Sequence, residues 1–143
     1  MQWSSAVSDS PSFTEAVTHA SEQILANLDG RHPDLAVVFI SSHHMSSYFV
    51  APELLAETLG AKLLIGCSAA GVIGGGQEVE RRPGIAISAA VLPGVELSPF
   101  HLNQDELPSP DAGPEEWQAL LGIRAEDCPA IMLLPDPFTL RSE

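Results

Sequence analysis

Basic residues are scarce: 6 lysines and arginines stand against 19 aspartates and glutamates in 143 residues, for a formal net charge of −13. Arg31, Lys62, Arg81, Arg82, Arg124 and Arg141 are scattered, and only Arg81 and Arg82 are adjacent. Binding a phosphate backbone takes a clustered basic surface that releases counterions. No nucleic-acid partner is therefore expected, and no anionic membrane surface either. Long apolar runs are missing as well, since none approaches the roughly 20 residues that span a bilayer. The opening Met1-Gln2-Trp3-Ser4-Ser5 lacks the basic start and apolar stretch of a secretory leader, so the expected compartment is the cytoplasm. Cysteine is nearly absent. Cys67 and Cys128 are too few and too far apart for a disulfide framework or a zinc site, and no metal or other cofactor is expected. Both flank apolar, strand-like segments, where the simplest expectation is a small buried residue with a reduced thiol.

What is present is globular: 45% hydrophobic residues and 17% charged ones in a length that suits one domain with a real core. Trp3, Ser5 and Val7 alternate with Gln2, Ser4 and Ala6, as in a half-buried opening strand. Ser12-Phe13-Thr14-Glu15 fits a capping box, and Phe13, Val17, Ala20, Ile24 and Leu28 follow at spacings of three and four. With Asp29-Gly30 as the left-handed stop, a helix is predicted over residues 12–28. The continuously apolar run Leu35 to Ile40 predicts a strand covered on both faces. A second helix is expected to start within Ser46–Pro52 and to end at Leu59, with Gly60 as its stop.

Lys62 to Cys67 reads as a third buried strand, and Gly71 to Gly76 as a glycine-rich connection. Gly84 to Leu92 predicts another strand, turned at Pro93-Gly94 towards a hairpin partner carrying Val95, Leu97 and His101. Asn103 to Gly113 is an acidic, proline-rich surface connection. Pro114 opens a short helix that Gly122 closes. Ala130 to Leu134 is one more buried strand. The order β-α-β-α-β-β-β-α-β implies a layered α/β domain with a mixed, mainly parallel sheet. Its last strand leads into Asp136-Pro137-Phe138 with no covering helix after it, so the fold is expected to be truncated and the protein to continue beyond Glu143.

Chemistry is most expected in the segment Ile65 to Gly76. Ligands of open α/β sheets settle beyond the carboxyl ends of strands, and glycines let backbone amides approach them closely. Gly66, Cys67, Ser68, Gly71, Gly74, Gly75 and Gly76 are therefore candidate ligand-binding residues, unless the glycines merely allow a tight path over the sheet. Their spacing matches neither a dinucleotide fingerprint nor a phosphate loop, which excludes the common nucleotide motifs. His43, at the end of the neighbouring apolar strand, is a candidate hydrogen-bonding partner for the ligand. Cys67 with His43 or His44 as base would be a nucleophile pair, but a lone Cys and His on two strands are not a catalytic signature, and no enzymatic activity is expected. Asp136 either meets a ligand group or caps a next helix, which the chain lacks.

Taken together, these residues resemble the N-terminal part of the FIST domain, a sensory module of bacterial signalling proteins and of some eukaryotic F-box proteins. The likeness lies in Trp3-Ser4-Ser5-Ala6-Val7, in Pro33 to Ser41 and in Leu64-Ile65-Gly66-Cys67-Ser68. It continues through Gly71 to Glu80 and Leu133 to Phe138, and so runs along nearly the whole chain as one domain over residues 1–143. Its most specific part is the Gly-Cys-Ser to Gly-Gly-Gly block followed by Glu-Val-Glu. The resemblance implies binding of a small-molecule ligand, amino acids or related metabolites, by a sensory module in signal transduction. It also implies two kinds of partner: a C-terminal FIST half, and a signalling output domain or protein. An interaction scaffold of the kind that sits beside an F-box is the alternative it leaves open, with a Cys-dependent enzyme behind it.

Overall fold

The structure, a computed structural model, describes residues 1–136, 138 and 139. Two compact units divide the chain, Met1–Leu97 and Ser98–Glu143. The first holds strands β1 (Gln2–Ser8), β2 (Leu35–Ser41), β3 (Leu63–Ala69), β4 (Gly71–Gly74), β5 (Gln77–Glu80) and β6 (Ile85–Val91), with helices α1 (Phe13–Asn27) and α2 (Ala51–Leu59). The second holds helix α3 (Pro114–Leu121) and two short 3-10 turns.

The predicted helices form where capping and periodicity agree. Ser12 caps α1 by accepting the Glu15 N–H at 3.4 Å, but the Glu15 carboxylate takes the Ser10 hydroxyl at 2.9 Å instead of closing the box. All five residues of the apolar stripe, Phe13 to Leu28, are buried. Asp29 (φ 57) and Gly30 (φ 74) turn left-handed, and the Gly30 N–H reaches back to the Leu25 carbonyl at 2.8 Å. Pro52 stands in the first turn of α2, and Gly60 (φ 64) ends it.

The fold is α/β with a mixed four-stranded sheet in the order β1-β6-β2-β3. Its balance differs from the expected mainly parallel one: β2 and β3 pair parallel, whereas β6 pairs antiparallel to both β1 and β2. The reason is connectivity. A parallel neighbour needs a crossover such as α2 between its strands, and β6 is reached through the β4–β5 hairpin instead. β2 is covered on both faces, as predicted. Ala36, Val38 and Ile40 meet α1, α2, Ile85, Ile87 and Ala89, while Leu35 and Val37 join Ala90 and Leu92 on the opposite face.

Several expectations are corrected. The core side of β1 is Ser4 and Ala6, and Trp3 is 53% exposed, because α1 packs close over small residues. β3 is an edge strand paired only with β2, so Gly66, Cys67 and Ser68 are exposed rather than buried. Gly71 to Gly76 is no mere connection: β4 and β5 form a hairpin whose two-residue turn, Gly75 (φ 55) and Gly76 (φ 77), is left-handed throughout. Val72 and Val79 anchor this hairpin on Ala86, with Val7, Phe39 and Ala69 around them. Leu92, Pro93 and Gly94 do turn the chain, but Val95, Leu97 and His101 form no strand, since Pro99 cannot donate to a ladder.

In the second unit α3 runs from Pro114 to the left-handed Gly122, as predicted. Ala130 to Leu134 forms neither a strand nor a buried segment, and Cys128 is exposed too. A ladder needs a partner, and this unit has no other strand among its described residues. Pro137, within the Asp136-Pro137-Phe138 corner, lies outside the described residues.

Candidate functional site

Parallel pairing puts the carboxyl ends of β2 and β3 side by side, with Ser41 opposite Ala69. Beyond that end the chain follows 3-10 turns over Ser42–Ser47, kinked at His44, before α2 begins. An open cleft of about 380 Å³ lies here, lined by Ser42, Met45 and Tyr48 on one side and by Ser68, Ala69 and Ala70 on the other. Strand alternation aims Ser68 towards the helix-covered face, because its register partner is Ile40 of the main core. The Tyr48 hydroxyl donates to the Ile40 carbonyl at 3.4 Å. Burial pushes the phenol's pKa above its usual 10.0, partly offset by its hydrogen bond with Ser68, so the ring is neutral across the physiological range.

The sequence-predicted residues divide around this cleft. Ser68 lines it. Cys67 is exposed, and its register partner is Phe39, on the sheet face opposite that of Ser68. Gly66 is required by β2 itself, since a Cβ there would overlap the Val38 carbonyl oxygen. Gly71 opens β4, while Gly74 lies so close to β1 that a Cβ would stand 2.7 Å from the Ala6 carbonyl oxygen. Gly75 and Gly76 make the hairpin turn, and the Gly75 N–H donates to the Ser5 hydroxyl at 3.2 Å. Close backbone packing thus accounts for Gly66 and Gly74, and turn geometry for Gly75 and Gly76. His43 is exposed on the 3-10 segment outside the lining, and neither it nor His44 hydrogen-bonds Cys67 among the described residues. Asp136 belongs to the second unit, where its carboxylate accepts the Phe138 N–H at 2.9 Å and the Thr139 hydroxyl at 3.0 Å. It caps its own turn.

His44 is the unusual side chain of this region. It is 4% exposed, its ring meets Phe13 edge-on at 5.3 Å, and its Nε2 has no hydrogen-bond partner among the described residues. Burial, reinforced by the charge of His43, holds its pKa below the usual 6.5. Tyr48 and Met45 carry no signal in the sequence, because no local cap or periodicity fixes the path of the chain between β2 and α2. Among the described residues no cluster of His, Cys, Asp and Glu is arranged to hold a metal ion.

A sequence model of the FIST N domain matches residues 34–143, well over half of the chain. The chain belongs to the FIST family. FIST domains are sensory modules of signal transduction, and the matched span includes β2, β3, the hairpin and every residue of the cleft. No curated protein and no solved structure matches the chain. No helix among the described residues of this FIST chain is long and apolar enough to cross a membrane.

Proposed function

We propose that this FIST chain binds a small metabolite, an amino acid or a related compound, at the carboxyl ends of β2 and β3, and reports its occupancy to a signalling partner. The observation that supports the reading is the cleft itself. It opens beyond the carboxyl ends of a parallel strand pair, where ligands of α/β sheets gather, and three hydroxyl-bearing residues, Ser42, Tyr48 and Ser68, line it beside small apolar surface. Its two walls come from separate segments, so a ligand touching Ser42 and Ser68 together would tie the 3-10 segment to the edge strand. The downstream partners in this reading are a C-terminal FIST half and an output domain or protein, in the cytoplasm. The role is binding rather than catalysis.

A thermal-shift screen of the chain against amino acids and related metabolites tests this. A ligand at 100 times its Kd stabilises the folded state by about 2.7 kcal/mol, which corresponds to several degrees of melting temperature for a domain of this size. Ser68→Leu, which fills the cleft from an exposed edge position, should abolish the shift. A screen without any shift, or a shift untouched by that substitution, would remove the cleft from the proposal. Met45, Phe49 and Val50, all exposed at the corner leading into α2, favour protein recruitment as the second reading.

A further inference from the structure

Resting on that reading, we infer that the ligand of the β2–β3 cleft carries no net or formal charge: a small compound with a neutral hydrogen-bonding group, such as an amide or hydroxyl, beside an apolar one. The inference comes from what surrounds the cleft. None of its six lining side chains is charged at neutral pH. Ser42 and Ser68 offer hydroxyls able to donate and to accept, Tyr48 offers its ring edge and a phenol oxygen whose proton goes to the Ile40 carbonyl, and Met45, Ala69 and Ala70 offer apolar contact.

An anion would find no counter-charge in this lining. Arg31 pairs with Asp29, Lys62 with Asp34, Arg82 with Asp9 and Arg124 with Asp127. Arg81, the remaining Lys or Arg among the described residues, is exposed at the corner after β5, and His43 is exposed between Ser42 and Met45; neither lines the cleft. The net charge of −13 adds a repulsive field, although salt screens it beyond about 8 Å. A cation gains from that field but meets no carboxylate in the lining, so nothing fixes its position. Partly desolvating either kind of charge without a partner is costly, whereas hydroxyls replace water well for an amide or an alcohol. The class of ligand proposed above therefore narrows to uncharged members: a free amino acid is a poor fit at both of its charged ends, and its neutral derivatives are a good one.

Tyr48 is the sole tyrosine of the chain, so in protein labelled only at tyrosine its ring resonances have one source. The full chain would be titrated with four matched probes: N-acetyl-leucinamide (neutral), N-acetyl-leucine (anionic), leucinamide (cationic) and leucine (zwitterionic). The neutral probe should shift the Tyr48 ring and bind about tenfold more tightly than each charged one, a difference of ~1.4 kcal/mol. Ser68→Leu should abolish that shift. A charged probe that moves Tyr48 as well as the neutral one overturns the inference and leaves cleft binding standing. If the anion does so and Arg81→Gln removes the effect, the guanidinium belongs to the site and the ligand is anionic. No Tyr48 shift with any probe at tens of millimolar overturns the inference together with binding at the cleft.

Discussion

Ser41 and Gly84 clasp each other twice: the Gly84 N–H donates to the Ser41 hydroxyl at 2.9 Å, and the Ser41 N–H donates to the Gly84 carbonyl at 2.9 Å. Both residues are buried. This pair fastens the end of β2, where the cleft begins, to the start of β6.

Removing either half of the clasp should be expensive. Ser41→Ala leaves the Gly84 N–H buried without a partner, and stability should fall by about 1–3 kcal/mol. Gly84→Ala brings a Cβ to 2.8 Å from Val79 and 2.9 Å from Val72, which should cost a similar amount through overpacking of the hairpin anchor. Urea midpoints of the two variants measure this. An unchanged midpoint for Ser41→Ala would mean that water satisfies the amide and that the clasp is not what holds the strand end.

The glycines of the hairpin separate by their geometry. At Gly76 a Cβ has open space around it, but φ is +77, so Gly76→Val should lose about 1–2 kcal/mol from backbone strain alone. Asparagine suits the first position of this turn, so Gly75→Asn should stay near wild-type stability. Gly66→Ala should be the most damaging of the set, because it sets a methyl group against the Val38 carbonyl and breaks the β2–β3 pairing that forms the cleft. Comparing the three denaturation curves ranks them. A damaging Gly75→Asn alongside a harmless Gly66→Ala would reverse the assignment of backbone roles.

The parts of this fold that were legible in the sequence are those fixed by neighbours along the chain. The α1 stripe with its Ser12 cap, the two-sided apolar run of β2 and the Gly60 and Gly122 stops all depend on residues within a turn or two. What stayed hidden depends on partners. Trp3 looks like a core residue until α1 is seen to select Ser4 and Ala6, with Asn27 donating to the Ser4 hydroxyl at 3.2 Å. An apolar strand such as β3 does not announce that it is an edge, and Ala130 to Leu134 does not announce that no ladder receives it. The site divides in the same way. Ser68 is legible because strand ends are where ligands gather, but Tyr48 across the cleft is placed by tertiary packing that no local pattern encodes.

Acid should weaken the protein in two separate windows, each with its own residue. His44 has a folded pKa below 6.5 because it is buried, so under mildly acidic conditions the unfolded chain binds a proton that the folded chain refuses. Stability should fall as pH drops below 6.5 and level off only once the folded ring also protonates, at ~1.4 kcal/mol per unit of offset. Asp34 acts in the same direction at lower pH. Its carboxylate pairs with Lys62 at 2.6 Å and accepts the Leu92 N–H at 2.5 Å, which together hold its pKa below 3.8. The stability it contributes is complete above 3.8 and is lost as pH falls through the lowered folded value. Urea unfolding at a series of pH values from 3 to 8 measures both windows. His44→Gln should flatten the upper one and leave the lower intact, and Asp34→Asn should do the reverse. An identical slope below pH 6.5 in wild type and His44→Gln would show that the buried imidazole is not the group being titrated.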